Sequence, residues 1–202
     1  MLPKENDTLE RLLETVDKPA RYIGGEVNAV RKPFNQAEVT FAFCFPDTYE
    51  VGMSHLGMKL LCDIVNRRDY ALCERVFTPW PDMADAMRRE GLPLFSLESR
   101  TPLKEFDIVG FTLMYEMCYS NVLESLDLAG IPLRSADRTE GPIVVAGGPC
   151  AYNPEPLAPF IDVFEIGDGE EMMMNVVDCV RDCKKKGLSR LETLRSLARI
   201  DG

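Results

Sequence analysis

Residues 45–57 read FPDTYEVGMSHLG and follow the continuous apolar run VTFAFCF. They gather two carboxylates (Asp47 and Glu50), a phenol (Tyr49), a glycine (Gly52) and the chain's one histidine, His55. A phosphate site here would need several glycines, hydroxyls or a lysine, so that backbone N–H groups and positive charge meet the anion. Asp47 and Glu50 repel phosphate, which argues against a flavin mononucleotide or dinucleotide at this position. Asp47 can face a ligand or cap the turn, and Gly52 can relieve backbone strain there. His55 starts the next helix. A lone histidine suits a structural hydrogen bond, whereas a metal needs further ligands converging on it.

Three later stretches also combine polar side chains with glycine or aromatic residues. FTLMYEMCYSN, residues 111–121, places Thr112 at the end of an apolar run, with Met114, Tyr115, Glu116 and Tyr119 just beyond. Two phenols and a carboxylate there can line a pocket around a flat ligand, or sit in the core with their hydroxyls satisfied. VVAGGPCAYNPEP, residues 144–156, runs into Gly147 and Gly148, followed by Pro149. Paired glycines favour close approach of something to the backbone over a plain tight turn. In EIGDGEE, residues 165–171, Asp168 can cap a helix with Glu171 reaching back to it. Such a cap does not require both Gly167 and Gly169.

The seven cysteines are scattered. Cys179 and Cys183 share a helix face, but position 186, which would complete a Cys-x-x-x-Cys-x-x-Cys spacing, is Lys. Two thiols do not make a zinc or iron–sulfur site, and these read as small buried hydrophobes.

The elements that must hold these loops alternate along the chain. Apolar spacing at Leu9, Leu12, Leu13 and Val16 predicts an amino-terminal helix, and residues 18–39 read as an irregular arm. Strands are expected at 39–45, 71–77, 106–113, 142–148 and within 158–167; helices at 54–68, 81–91, 121–130, 168–187 and 188–200. LPLFSLES, residues 92–99, is a short strand or a loop. This alternation predicts a doubly wound, Rossmann/flavodoxin-like α/β fold, with a mainly parallel sheet of about five strands and helices on both faces. Ligands in such folds sit at the carboxyl ends of the strands, which is where every loop named above falls. The expected division is an arm at 1–38, an α/β domain at 39–187 and a carboxy-terminal helix at 188–202. The ending ARIDG, just after a helix, suggests a domain of a longer protein.

The bulk numbers narrow the partners. Apolar residues make up 46% of the 202, enough for a core. A net charge of −10 argues against nucleic-acid backbone or an anionic membrane surface as partner. An odd number of scattered cysteines and a charged, amphipathic start predict a cytoplasmic protein with reduced thiols.

RYIGGEVNAVRK, FPDTYEVGMSHLG, ERVFTPWPDM, LPLFSLESRTPLKEFDIVGFTLMYE, LDLAGIPL and AGGPCAYNPEPLAPFIDVFEIGDGEE together span about residues 20–175. In combination they resemble the amino-terminal cobalamin-binding-type domain that precedes radical SAM catalytic domains. Cobalamin domains of the mutase and methyltransferase type carry Asp-x-His-x-x-Gly, then Ser-x-Leu, then Gly-Gly. The resemblance sets Asp47 and Gly52 on the first motif with Tyr49 at the histidine position, Thr112 and Met114 on the second, and Gly147 and Gly148 on the third. His55 is out of register for the ligand role. The cofactor site so implied comprises Asp47, Tyr49, Gly52, Thr112, Met114, Tyr115, Glu116, Gly147, Gly148, Pro149, Gly167 and Gly169, with no metal ligand and no catalytic residue among them.

A neutral phenol, with a pKa of about 10, is a poor cobalt ligand. The resemblance therefore implies cobalamin held base-off and without histidine. The alternative is the same fold without cobalamin, with Tyr49 filling the hole, acting to position substrate or to meet a partner. A flavodoxin- or receiver-type module ranks behind both, because Thr112 and Leu113 end the third strand without a phosphoacceptor carboxylate. The [4Fe–4S] cluster and S-adenosylmethionine are expected only in a carboxy-terminal radical SAM domain of the longer protein. That domain is this chain's expected partner, and this segment is not expected to be catalytic alone.

Overall fold

The computed structural model describes residues 3–201. Strands β1 (Val39–Phe45), β2 (Ala71–Phe77), β3 (Ile108–Thr112), β4 (Ile143–Gly147) and β5 (Val163–Phe164) form one sheet in the order β2-β1-β3-β4-β5. Every pairing in it is parallel. The helices are α1 (Pro3–Leu13), α2 (Tyr49–Met53), α3 (Leu56–Asn66), α4 (Pro81–Glu90), α5 (Tyr119–Leu128), α6 (Gly169–Lys185) and α7 (Arg190–Leu197). This is the doubly wound α/β fold that the alternation predicts, and the strand order reverses direction between β1 and β3.

Both faces of the sheet are covered, which is why β1 is apolar apart from Thr40, whose hydroxyl donates to Asp107 Oδ2 at 3.0 Å. Phe41, Phe43 and Phe45 face α3, α6 and α7, in one core with Met58, Val65, Met173, Val177 and Leu197. Ala42 and Cys44 face the other way, into a core with Leu9 and Leu12 of α1, Met83 and Met87 of α4, and Val122 and Leu126 of α5. Alternation with a period of two thus assigns each strand residue to one of two cores. The first and last helices both bury side chains in these cores.

The edge strand β2 carries Glu74 and Arg75 within its buried run. Residues 92–101 pack beside it as a loop: Leu97 N–H donates to Arg75 O at 2.8 Å, and one antiparallel bridge joins Phe95 to Pro102. The Ser96 and Ser99 hydroxyls donate to Glu74 Oε2 at 2.5 and 2.6 Å, and Arg75 Nε donates to Glu98 Oε1 at 2.5 Å. The loop thereby satisfies buried charge and covers an open edge.

Two local expectations change. Asp168 is the N-cap of α6 but its side chain makes no capping bond. The capping box lies at Ser189 and Glu192, before α7. β5 spans only two residues. Among the described residues, no helix is long and apolar enough to cross a membrane.

Candidate functional site

Towards the carboxyl ends of β3 and β4, beside the point where the strand order reverses, residues of β1, α3 and the start of α6 line a cavity of about 240 Å³. Apolar side chains form its floor, including Phe41, Phe43, Val145 and Met173. Six glycines line it: Gly57, Gly110, Gly147, Gly148, Gly167 and Gly169. Its polar lining comes from His55, Thr112, Glu165 and Glu170. Wider depressions lie elsewhere, one of about 430 Å³ beside Asp107 and Ile143 at the opposite end of the strands. The cavity between α3 and α6 lies towards the strands' carboxyl ends, where open α/β sheets bind ligands, and is larger than the one of about 20 Å³ beside the end of β2.

The two adjacent glycines divide the work. Gly148 has φ +100°, and a Cβ there would lie 3.0 Å from Leu113 O and 3.2 Å from Leu113 N. Its glycine is required by backbone conformation and by close approach of another backbone segment. At Gly147 a Cβ would meet nothing closer than Glu165, at 3.6 Å, an ordinary contact. Protein packing does not demand glycine there, and the side chain that is missing is cavity space.

Glu165 is the polar group sequence reasoning did not single out. Its N–H donates to Ala146 O at 2.8 Å, just after β5. Its carboxyl Oε1 is sealed from solvent and has no hydrogen-bond partner among the described residues, although the residue as a whole keeps some exposure. Burial alone pushes the carboxyl up to about 7 from an ordinary 4.5. The signal available in the sequence was a carboxylate at the end of a strand, directly before the glycines of EIGDG. Gly110, an isolated glycine inside β3, was a second overlooked signal: a Cβ there would lie 2.4 Å from the Phe41 ring.

Of the residues expected at the site, Thr112, Met114, Gly147, Gly148, Gly167 and Gly169 line the cavity together. Asp47, Tyr115, Glu116 and Pro149 lie outside its lining. Tyr115 donates to Asp47 Oδ2 at 2.7 Å, which raises the phenol to about 12. Asp47 Oδ1 accepts from Thr48 N–H at 2.7 Å, so the aspartate does cap its turn. Glu116 and Pro149 are exposed.

Tyr49 and Gly52 belong to packing on the other side of the loop. The Tyr49 hydroxyl donates to Glu26 Oε1 at 2.9 Å, and its ring meets Phe77 edge-on at 5.4 Å. Glu26 also pairs with Arg75 at 2.9 Å. Burial acts to raise the Glu26 carboxyl, but hydrogen bonds and the Arg75 charge outweigh it, and the net shift is downward. A Cβ on Gly52 would lie 2.3 Å from the Phe77 ring, so this glycine lets α2 sit on the ends of β1 and β2.

His55 caps α3: its Nδ1 accepts from Met58 N–H at 3.1 Å, which leaves Nε2 as the other ring position. Cys183 is buried, and Cys179 is partly buried against the core that α6 shares with β1. Burial, with Cys183 alongside, pushes the Cys179 thiol up to about 11. Among the described residues no group of three or more His, Cys, Asp or Glu side chains is arranged to hold a metal.

The sequence pattern described as "Radical SAM proteins, N-terminal" matches residues 57–202, more than half of the chain. The chain belongs to this family. The radical SAM N-terminal domain is also 27% identical over 140 residues to the uncharacterized protein MJ0966 of Methanocaldococcus jannaschii, an alignment covering 68% of this chain and 26% of that protein. The domain therefore spans about a quarter of the relative it matches. No solved structure matches it. The cavity's lining falls partly before the matched span, at Phe41, Phe43 and His55, and mostly within it.

Proposed function

We propose that this radical SAM N-terminal domain holds a cobamide by its nucleotide tail, in the cavity between α3 and α6. The observation that carries the reading is the pair Gly147 and Glu165: a glycine that packing does not require, beside a carboxyl with one oxygen sealed and unpartnered among the described residues. At about 240 Å³ the cavity is smaller than a typical small-molecule site. It suits an aromatic base and its sugar, with the corrin lying at the rim. The apolar floor and the glycine-bearing walls fit a flat ring sliding in beside the sheet.

Tyr49 bears on the state of the cofactor. Its hydroxyl is engaged by Glu26 and its ring by Phe77, and His55 uses one nitrogen to cap α3. With its Nδ1 lone pair accepting from Met58, the neutral His55 ring carries its hydrogen on Nε2, which then has no lone pair for cobalt; with Tyr49 engaged as well, this favours base-off, histidine-off binding. When bound, the cobamide would supply methyl-transfer chemistry to a radical SAM partner domain. That domain would hold the cluster and S-adenosylmethionine, since Cys179 and Cys183 are followed by Lys186 rather than a third cysteine.

A second reading, a positioning or interaction domain without cofactor, draws on exposed apolar residues near the same edge, with Met117 83% and Tyr152 73% exposed. Titrating the chain with hydroxocobalamin while following heat and visible absorption decides between them. Saturable binding with a spectrum lacking nitrogen ligation supports the cobamide reading. No binding at high micromolar cobalamin supports the second.

A further inference from the structure

Glu165 presents a problem of physical chemistry that the fold leaves open. A buried polar atom without a partner loses its hydration and recovers nothing, a cost of about 1–3 kcal/mol. Native structures hold few such atoms, and each calls for a cause. Here the sealed atom is Oε1, and the carboxyl's other oxygen, Oε2, is the one beside the space at Gly147, in the wall of a cavity whose floor is apolar. A leucine or methionine would fill the same wall at lower cost. An ideal Cβ on Gly147 would lie 3.6 Å from Glu165 Oε2, so the carboxyl stands over the space that Gly147 leaves empty.

We infer that Glu165 is a specificity-determining residue of this cavity, whose carboxyl hydrogen-bonds an unprotonated ring nitrogen of the ligand's aromatic base. The inference rests on the cobamide reading and deepens it. A cobamide with a benzimidazole base offers such a nitrogen. A cobamide with a cresol base, joined through its phenolic oxygen, has no ring nitrogen and leaves the carboxyl unpaired. Sites built around a buried polar group discriminate against ligands that lack its partner more strongly than apolar sites discriminate by size. Near neutral pH much of the Glu165 carboxyl still carries the proton such a bond needs. The other titratable groups facing the cavity are His55 from α3 and Glu170 from α6; the strands contribute none.

The test compares three probes, hydroxocobalamin, the cresol-based cobamide and tail-less cobinamide, by calorimetry on the wild-type chain, Glu165→Gln and Glu165→Leu. The benzimidazole nitrogen must leave cobalt before Glu165 can meet it, a cost the cresol form does not carry, so the bond is read from the ratio of hydroxocobalamin to cresol-form affinity across the variants. Glu165→Leu should lower that ratio by about tenfold or more, by weakening hydroxocobalamin alone. Glu165→Gln, whose amide still donates, should keep the wild-type ratio. The wild-type ratio should fall as pH rises through about 7, and in Glu165→Gln it should not. A ratio that is the same in wild type and Glu165→Leu overturns the inference and leaves the cobamide reading standing. So does a pH dependence that persists in Glu165→Gln, which would belong to His55 or Glu170. If wild type binds neither cobamide, or binds cobinamide as tightly as both, the tail does not occupy this cavity and reading and inference fall together.

Discussion

Tyr115 and Asp47 are 68 positions apart in sequence, yet the phenol donates to the carboxylate at 2.7 Å. The bond ties the loop after β1 to the loop after β3 across the point where the strand order reverses. The cavity lies beneath these two loops' strands, so their spacing bears on its mouth.

Replacing Tyr115 by Phe should remove that tie at a cost of about 1 kcal/mol, since the pair is partly exposed and water replaces some of what is lost. The wild-type Tyr115 proton is held to about 12, above the ordinary 10. The bond is therefore intact below pH 10 and lost as pH rises through about 12. Urea unfolding at neutral pH and an alkaline ultraviolet titration check both parts. The variant should lack the latest tyrosinate step.

Gly147→Val and Gly148→Ala should part company. Valine at 147 sets its Cβ at ordinary contact distance from Glu165 and its methyls towards the cavity, so stability should change by less than about 1 kcal/mol while cobalamin affinity falls by about tenfold or more. Alanine at 148 meets a φ of +100° and the Leu113 backbone, and should cost on the order of 1–3 kcal/mol. Thermal unfolding and calorimetric titration of both variants separate the roles. Large destabilisation by valine at 147 would mean that packing does require this glycine.

Glu165→Gln should change how stability depends on pH. The wild-type carboxyl moves from 4.5 to about 7 on folding. Its folded value lies above its unfolded value, so the folded chain holds the proton longer. The contribution is full below the unfolded value and is lost as pH rises through about 7, a swing of about 3 kcal/mol. Urea midpoints from about pH 5 to about pH 8 should fall more steeply for wild type than for the variant. Parallel curves would place the carboxyl in water.

Tyr49→His restores the histidine that the resemblance expects at this position, but the site does not offer it cobalt. The ring at 49 packs on Phe77 and faces Glu26. The variant should bind cobalamin with the same nitrogen-free spectrum as wild type. A new nitrogen-ligated form would show that this side chain can swing to the cofactor.

The sheet was legible because β1, β3 and β4 are buried on both faces and so run almost wholly apolar, with Thr40 and Thr112 as their polar side chains. Gly130 and Gly91, both in the left-handed region, mark the ends of α5 and α4 as helix C-terminal glycines do. Thr112, Gly147 and Gly169 could be assigned to one edge because loops after parallel strands converge there. Local chemistry misled at Asp168, whose side chain does not make the cap its sequence permits. Tyr49 was legible as a departure from the motif, but not its direction. That depends on Glu26 and Phe77, which lie 23 and 28 positions away and come near only through the arm and β2. Glu165 was legible as a carboxylate ending a strand, but its sealing against β4 beside Gly147 was not, because that neighbour comes near only through the sheet.

The central claim is that the nucleotide tail leaves cobalt and enters the cavity. Electron paramagnetic resonance of cobalt(II) cobalamin mixed with an excess of the chain reports on this directly. The expected result is a protein-bound signal without nitrogen splitting, because neither the tail's base nor a histidine is coordinated. A persisting three-line nitrogen splitting, or a cobalt signal that separates from the protein on gel filtration, would contradict the claim.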